Sequence, residues 1–195
     1  MKKAFGIIVL CAAVCSCTKN NNEIIINKLT PQGNFKTYTI SAGQHSCSDN
    51  VFIPTSLNEL KFKVKFDSAA IYSTADPQNQ SDINKLYGFA DNNAFHQQYS
   101  ARFGWRWGNN ALRLFGYVYN NGVRKYKELT TIDIGKEHIC SILITPASYI
   151  FSVNGNIDSL PRLSVTPKAE GYKLYPYFGG EEVAPHKVAI FIKDL

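Results

Sequence analysis

Acid is scarce in this chain: 15 Asp and Glu stand against 21 Lys and Arg, a formal charge of +6 over 195 residues. No stretch carries a sustained helical period, so a helical bundle is excluded. No apolar run is long enough to cross a bilayer as a helix, the longest, Ala4 to Val14, falling well short. There is no internal repeat of the propeller or solenoid kind, and no metal-ligand cluster, nucleotide loop or nucleophile signature. What remains is a mildly basic chain, a balance ordinary for soluble envelope proteins and also suited to an acidic glycan or polyanionic surface.

Cysteine is also sparse, with five in all: Cys11, Cys15, Cys17, Cys47 and Cys140. Cys17 closes the run Val14-Cys15-Ser16-Cys17 behind a leader with Lys2 and Lys3 followed by apolar residues. That pattern resembles a bacterial lipobox, in which a peptidase cuts before the cysteine and leaves an acylated N-terminus. The expectation is a signal peptide over 1–16, a lipidated tether over 17–34 and one β-domain over 35–195. The protein would sit in the envelope of a Gram-negative-type bacterium, anchored to a membrane by palmitate-type acyl chains. Thr18 after the lipid cysteine leans toward the outer membrane by resemblance to sorting rules. Nucleic acid is a poor partner for such a chain, and no cofactor or metal is expected.

Cys47 and Cys140 are then the two thiols of the mature chain, and outside the cytoplasm they suggest one disulfide. Each lies in a His-x-Cys unit, His45-Ser46-Cys47 and His138-Ile139-Cys140. A four-ligand zinc site is the alternative, weighed below a disulfide because close zinc pairs usually have Cys-x2-4-Cys or His-x3-5-His spacing. Two buried thiols would explain the same residues.

From Phe35 onward the pattern is strand after strand. Residues 59–66 alternate Leu60, Phe62, Val64 and Phe66 with Lys61, Lys63 and Lys65, so one face is buried and the other wet. Further strands are expected over 35–40, 69–73, 86–90, 99–107, 111–119, 123–129, 138–144, 149–153, 172–177 and 187–193, with at most a helical turn at 81–86. Ile24 to Ile26 could be part of the tether or an early edge strand. Turns at Asn109-Asn110, Asn121-Gly122 and Asn154-Gly155 signal hairpins. The fold class is therefore all-β, a two-sheet antiparallel β-sandwich, and the strand number fits a jelly roll of the concanavalin A-like type.

The densest chemistry lies between Tyr99 and Tyr119. With Asn109-Asn110 as a two-residue turn, Arg106 lies opposite Arg113 and Arg102 opposite Tyr117. One face then carries Arg102, Arg106, Arg113, Phe115, Tyr117 and Tyr119, and the other carries Phe103, Trp105, Leu112, Leu114 and Val118. A three-residue turn would bury the arginines among leucines at high cost. An Arg and Tyr face flanked by Trp107 suits a sugar, with guanidinium forks for carboxylates and aromatic planes for pyranose faces. The competing reading is a solvated face whose arginines pair with acids across strands. The Lys61, Lys63, Lys65 row reads as an exposed face or protected edge.

The strings YSARFGWRW (99–107), LRLFGYVYNNGVR (112–124), YIFSVNG (149–155) and YPYFGG (175–180) with Ala184-Pro185-His186 resemble a group of envelope lipoproteins from glycan-degrading Gram-negative bacteria. The likeness looks like the concanavalin A-like lectin and glucanase superfamily, and is distantly similar to jelly-roll polysaccharide lyases. The resemblance implies a carbohydrate-binding protein accessory to polysaccharide use. The catalytic motifs of the superfamily are incomplete. Retaining glucanases carry Glu-x-Asp-x-x-Glu, which this sequence lacks. Alginate lyases carry Arg-x-Glu-x-Arg, Gln-Ile-His and Tyr-x-Lys-x-Gly-x-Tyr. Here Arg102 and Arg106 keep the first spacing, Gly104 replaces the acid, and the other two motifs are missing. A metal-independent lyase would need a proton carrier beside the arginines, a role open to His45, His96, His138, His186 or Tyr117 if the fold brings one there, with Tyr117 and His186 the leading candidates, while His138 reads as a satisfied core histidine. An interaction protein without a sugar site is the third reading.

Overall fold

A computed structural model describes residues 34–195, and the expectations for Cys17, the signal peptide and Ile24 to Ile26 fall outside those residues. Two antiparallel six-stranded sheets pack face to face. In spatial order the first holds β1 (Lys36–Ile40), β12 (Val188–Asp194), β3 (Glu59–Phe66), β8 (Glu137–Ile144), β9 (Ser148–Val153) and β10 (Asn156–Pro161). The second holds β2 (Pro54–Leu57), β11 (Ala169–Leu174), β4 (Asn84–Ala90), β5 (Tyr99–Gly108), β6 (Ala111–Asn120) and β7 (Val123–Ile132). No helix among the described residues is long and apolar enough to cross a membrane.

The alternation in β3 is the plainest link from sequence to packing: Phe62, Val64 and Phe66 are fully buried, while Lys61 and Lys63 stand on the other face. Phe103 on β5 joins the two sheets, its ring meeting Phe62 edge-on at 5.6 Å and Phe151 at 5.2 Å. Such edge-to-face pairs add about 0.5–1.5 kcal/mol beyond the area they bury. Three two-residue turns place the hairpins. Asn109-Asn110, Asn121-Gly122 and Asn154-Gly155 all have positive φ at both positions, the geometry that matches the right-handed twist of the strands they join.

Several elements depart from expectation. Residues 69–73 form no strand: Asp67 accepts a hydrogen bond from the Ala69 amide and caps a 3-10 turn over Ser68–Ala70. The second 3-10 turn, Pro77–Ser81, precedes the expected position at 81–86. β2 and β10 are short strands without a regular apolar alternation, β2 lying on a sheet edge beside β11 and β10 on the edge beside β9. β11 begins three residues earlier than expected, with Ala169 buried opposite Leu57.

The expected Cys47–Cys140 disulfide is not formed; both thiols are free and buried. Cys47 bridges Ile40 beside β1, whereas Cys140 lies on β8, with β1, β12 and β3 between them. At about 4.8 Å per strand the gap far exceeds the 4.4–6.8 Å between Cα atoms that a disulfide tolerates. The same separation keeps the two His-x-Cys units from sharing one zinc ion. His138 is a satisfied core histidine, its Nε2 bonded to the Asp133 carbonyl and its Nδ1 to the Asn154 amide.

A buried ion pair ties the 162–168 loop to the second sheet. Asp91 accepts hydrogen bonds from Arg162 Nε at 2.8 Å, the Tyr149 hydroxyl at 2.6 Å and the Asn92 amide at 2.6 Å. Burial pushes this carboxyl up, and the bonds from Arg162 and Tyr149 more than offset it, leaving it below the usual carboxylate range.

Candidate functional site: a cationic groove on the second sheet

The hairpin register is the two-residue one. Arg102 pairs with Tyr117 and Arg106 with Arg113, while Phe103, Trp105, Leu112, Leu114 and Val118 point into the sandwich. The polar face of β5 and β6 thereby turns away from the core and floors a groove of about 570 Å³.

Arg102 is the groove's central feature. It is only 8 % exposed, makes no ion pair with any described residue, and leaves its buried Nε without a hydrogen-bond partner. Burial lowers the guanidinium below its ordinary range, although at about 10 it remains cationic at neutral pH. Its guanidinium carbon stands 5.6 Å from the centre of the Tyr117 ring. The space it fills is opened by Gly88, the residue opposite it on β4, where a Cβ would collide with the Arg102 Cβ and the Ala101 carbonyl. A register shift in β4 between Lys85 and Gly88 then brings Lys85 onto the same face. The Lys85 ammonium lies 4.7 Å from the Tyr117 ring centre and donates to the Ile83 carbonyl. Burial, with Arg102 and Arg124 nearby, lowers it to about 8.

Tyr117 packs with Ile83 and Phe115 in a small apolar cluster on this outer face, and its ring lies 5.8 Å from Tyr119. Burial pushes its phenol up to about 12, so it carries its proton across the neutral range. Arg124 pairs with Tyr119 across the Asn121-Gly122 turn. His96 shares a 2.9 Å hydrogen bond between Nδ1 and the Tyr172 hydroxyl; burial and the charge of Arg102 hold its imidazole below the usual range, so it is neutral at neutral pH. Tyr177 stacks flat on His45 at 5.3 Å. Lys85, Arg102, Arg124 and Lys173 line the groove with no Asp or Glu among the lining residues.

Of the residues singled out from the sequence, Arg102, Tyr117 and Tyr119 meet in this groove. Arg106 and Arg113 share their face but lie outside it. Arg106 donates to the Ser81 carbonyl and lies over the Phe115 ring, while Arg113 pairs with Glu128 at 2.6 Å. These two fit the reading in which arginines are satisfied within the sheet. Trp107 has the parity of Phe103 and Trp105 and packs against the main core, so it is not a flank of the site. His186 is also elsewhere, bonded through Nε2 to the Ala69 carbonyl, where it closes the first 3-10 turn. Sequence reasoning missed Lys85, Gln97, Arg124 and Tyr172, and named His96 only among several possible proton carriers. Arg124 was within reach, because the two-residue rule applied to Asn121-Gly122 places it opposite Tyr119. The others sit on a bulge, a loop and a neighbouring strand that only the sheet order brings together.

No family model matches the sequence, and neither does any curated protein sequence. Solved structures resemble it in fold. The alginate lyase AlyC3 superposes with a TM-score of 0.57 at 10 % identity, covering 82 % of this chain and 72 % of its own. A glycoside hydrolase family 16 endo-glucanase from Bacteroides ovatus gives 0.54 at 11 %, covering 83 % and 80 %. The laminarinase catalytic domain of Thermotoga maritima gives 0.52 at 10 %, covering 83 % and 78 %. The domain is a concanavalin A-like jelly roll, distantly similar to the polysaccharide lyases and glucanases built on that fold.

Proposed function

We propose that the groove binds an acidic glycan through a sugar carboxylate seated on Arg102. The observation that carries this reading is a buried guanidinium with no carboxylate partner among the described residues. Removing such a charge from water costs several kcal/mol unless an anion meets it. A uronate supplies the anion, and Tyr117, Tyr119 and Tyr177 supply rigid rings for the apolar faces of sugars. Lys85 and Arg124 add charge around the same ring. The described residues lining the groove include no Asp or Glu to serve as the acid and nucleophile of glycoside hydrolysis, which favours binding over that reaction.

The test is calorimetric titration of the purified chain against a panel of uronate oligosaccharides and their neutral, carboxyl-reduced counterparts. Binding to acidic members alone, lost in Arg102→Ala at an unchanged melting temperature or a higher one, is the expected result. Equal binding of reduced and acidic members would remove the carboxylate from the argument. Anchoring through an acylated Cys17, which would place the groove in the cell envelope as an accessory to polysaccharide use, belongs to the same proposal. Mass spectrometry of the mature N-terminus checks it.

One observation favours a second reading, a metal-independent lyase. Neutral His96 and protonated Tyr117 line the same groove as Arg102. In β-elimination a base takes the proton α to the uronate carboxylate, the electron pair forms the new double bond, and an acid protonates the departing glycosidic oxygen. Ultraviolet absorbance of the unsaturated product, growing with time in the same titrated mixtures, would move the protein from binder to enzyme.

A further inference from the structure

We infer that the rim of the groove holds a second, uncharged sugar subsite built on Phe52, so that the preferred ligand alternates acidic and neutral sugars. This rests on the acidic-glycan reading above and adds the composition of the chain that would bind.

Charge in the groove is segregated by strand. Lys85 lies on β4, Arg102 on β5 and Arg124 on β7. Toward the other edge of the sheet, the lining residues of β11 and of the loop before β2 are Asn50, Val51, Phe52, Tyr172 and Leu174, uncharged and mostly apolar, with Lys173 tied to Asp194 at 2.8 Å. Phe52 is 70 % exposed, and its neighbours Val51 and Ile53 are exposed as well. Three consecutive exposed apolar residues, two of them lining the mouth of a polar groove, are a place for an apolar ligand surface rather than scattered surface residues.

The platform is held in place. The Phe52 ring meets the Tyr172 ring at 5.0 Å, and the Tyr172 hydroxyl is fixed by the His96 backbone amide at 3.2 Å and by His96 Nδ1 at 2.9 Å. A ring pinned in this way stacks on a pyranose with little entropy left to lose. From β11 to β5 is two strand spacings, about 10 Å, the reach of two linked sugar rings. A uronate on Arg102 therefore puts the adjoining sugar over Tyr172 and Phe52. A carboxylate there would be set against mostly apolar surface with no free cation among the described lining residues beside it, so a neutral sugar is favoured and a polyuronate is penalised.

The test titrates the full-length chain with two sets of tetra- to hexasaccharides, homo-oligouronates and oligosaccharides alternating a uronate with a neutral hexose or hexosamine. The alternating set should bind more tightly. Phe52→Ala should weaken that set about 3- to 10-fold and leave the homo-oligouronates within about twofold, while Phe52→Tyr restores the preference. Arg102→Ala should abolish binding of both sets. Equal loss of both sets in Phe52→Ala, no loss in either, or a wild-type preference for homo-oligouronates overturns the rim subsite while the Arg102 site stands. Undiminished binding in Arg102→Ala, or no binding of either set by the wild type, overturns the groove reading and the subsite with it.

Discussion

Arg102 and Tyr117 face each other across the β5–β6 hairpin, with the guanidinium carbon 5.6 Å from the ring centre and no carboxylate of a described residue within ion-pair distance. The tyrosine ring partly stands in for the missing anion, since a cation over an aromatic face gains about 0.5–2 kcal/mol. That is less than burying the charge costs. The pair is thus held in place by the surrounding sheet and by the packing of Tyr117 on Ile83 and Phe115.

A stability gain follows from removing this charge. Arg102→Met keeps the aliphatic stem and discards the unpaired guanidinium, so the unfolding free energy should rise by about 1–3 kcal/mol while binding of acidic oligosaccharides is lost. Denaturant midpoints with unchanged m-values are the measurement. A fall in stability would mean that the guanidinium is satisfied in the unliganded protein.

Binding should also decline with alkali. Lys85, lowered to about 8, is charged at pH 7 and largely neutral at pH 9, so the groove loses one of its cations across that interval. Affinity for an acidic oligosaccharide should fall between pH 7 and 9 in the wild type and stay level in Lys85→Arg. In the absence of ligand the sign reverses for stability. The folded chain binds fewer protons at Lys85 than the unfolded one between about pH 8 and the ordinary lysine value of 10.5, so this residue's contribution favours the fold increasingly across that window. An affinity that does not change with pH would place Lys85 outside the binding set.

Acid should act through Asp91. Its folded carboxyl lies below the usual range, so its contribution is present above the unfolded value near 3.8 and is lost as pH falls through the folded one. Asp91→Ala strands Arg162 in a buried position and should cost about 3–5 kcal/mol, most of it as a charge left without a partner. Arg162→Met combined with Asp91→Leu should recover part of that loss. A double variant no better than the single would assign the cost to the bonds from Tyr149 and Asn92 instead.

The two buried thiols give a direct chemical check. Burial pushes Cys47 to about 11 and Cys140 above the ordinary thiol range, so neither is a thiolate at neutral pH. Alkylation under native conditions should spare both, and alkylation after denaturation without reductant should label both, as read by peptide mass spectrometry. Resistance of the pair to labelling in denaturant would restore the disulfide.

Local rules made most of the sheet legible from the residues alone. Period-two alternation marks β3, and the paired Asn and Gly turns set the β5–β6 register, because a one-residue slip would have buried Arg102 and Arg106 among Leu112 and Leu114. Those same rules placed Arg102, Tyr117 and Tyr119 on one face and identified the core rings of Phe103 and Trp105. They could not separate Arg102 from Arg106 and Arg113, whose equivalence on the face ends where Ser81 and Glu128 satisfy the other two. Nor could they unite Arg102 with Lys85, His96 and Tyr172, which come from a bulged strand, a loop and a strand far along the chain. Sheet order and the missing side chain at Gly88 decided that meeting. Counting thiols also misled for Cys47 and Cys140, since two thiols in one compartment say nothing of the three strands between them. Alternation and turn chemistry are encoded within a few residues; which strands become neighbours is decided by burial of the whole apolar face, and the groove exists only at that level.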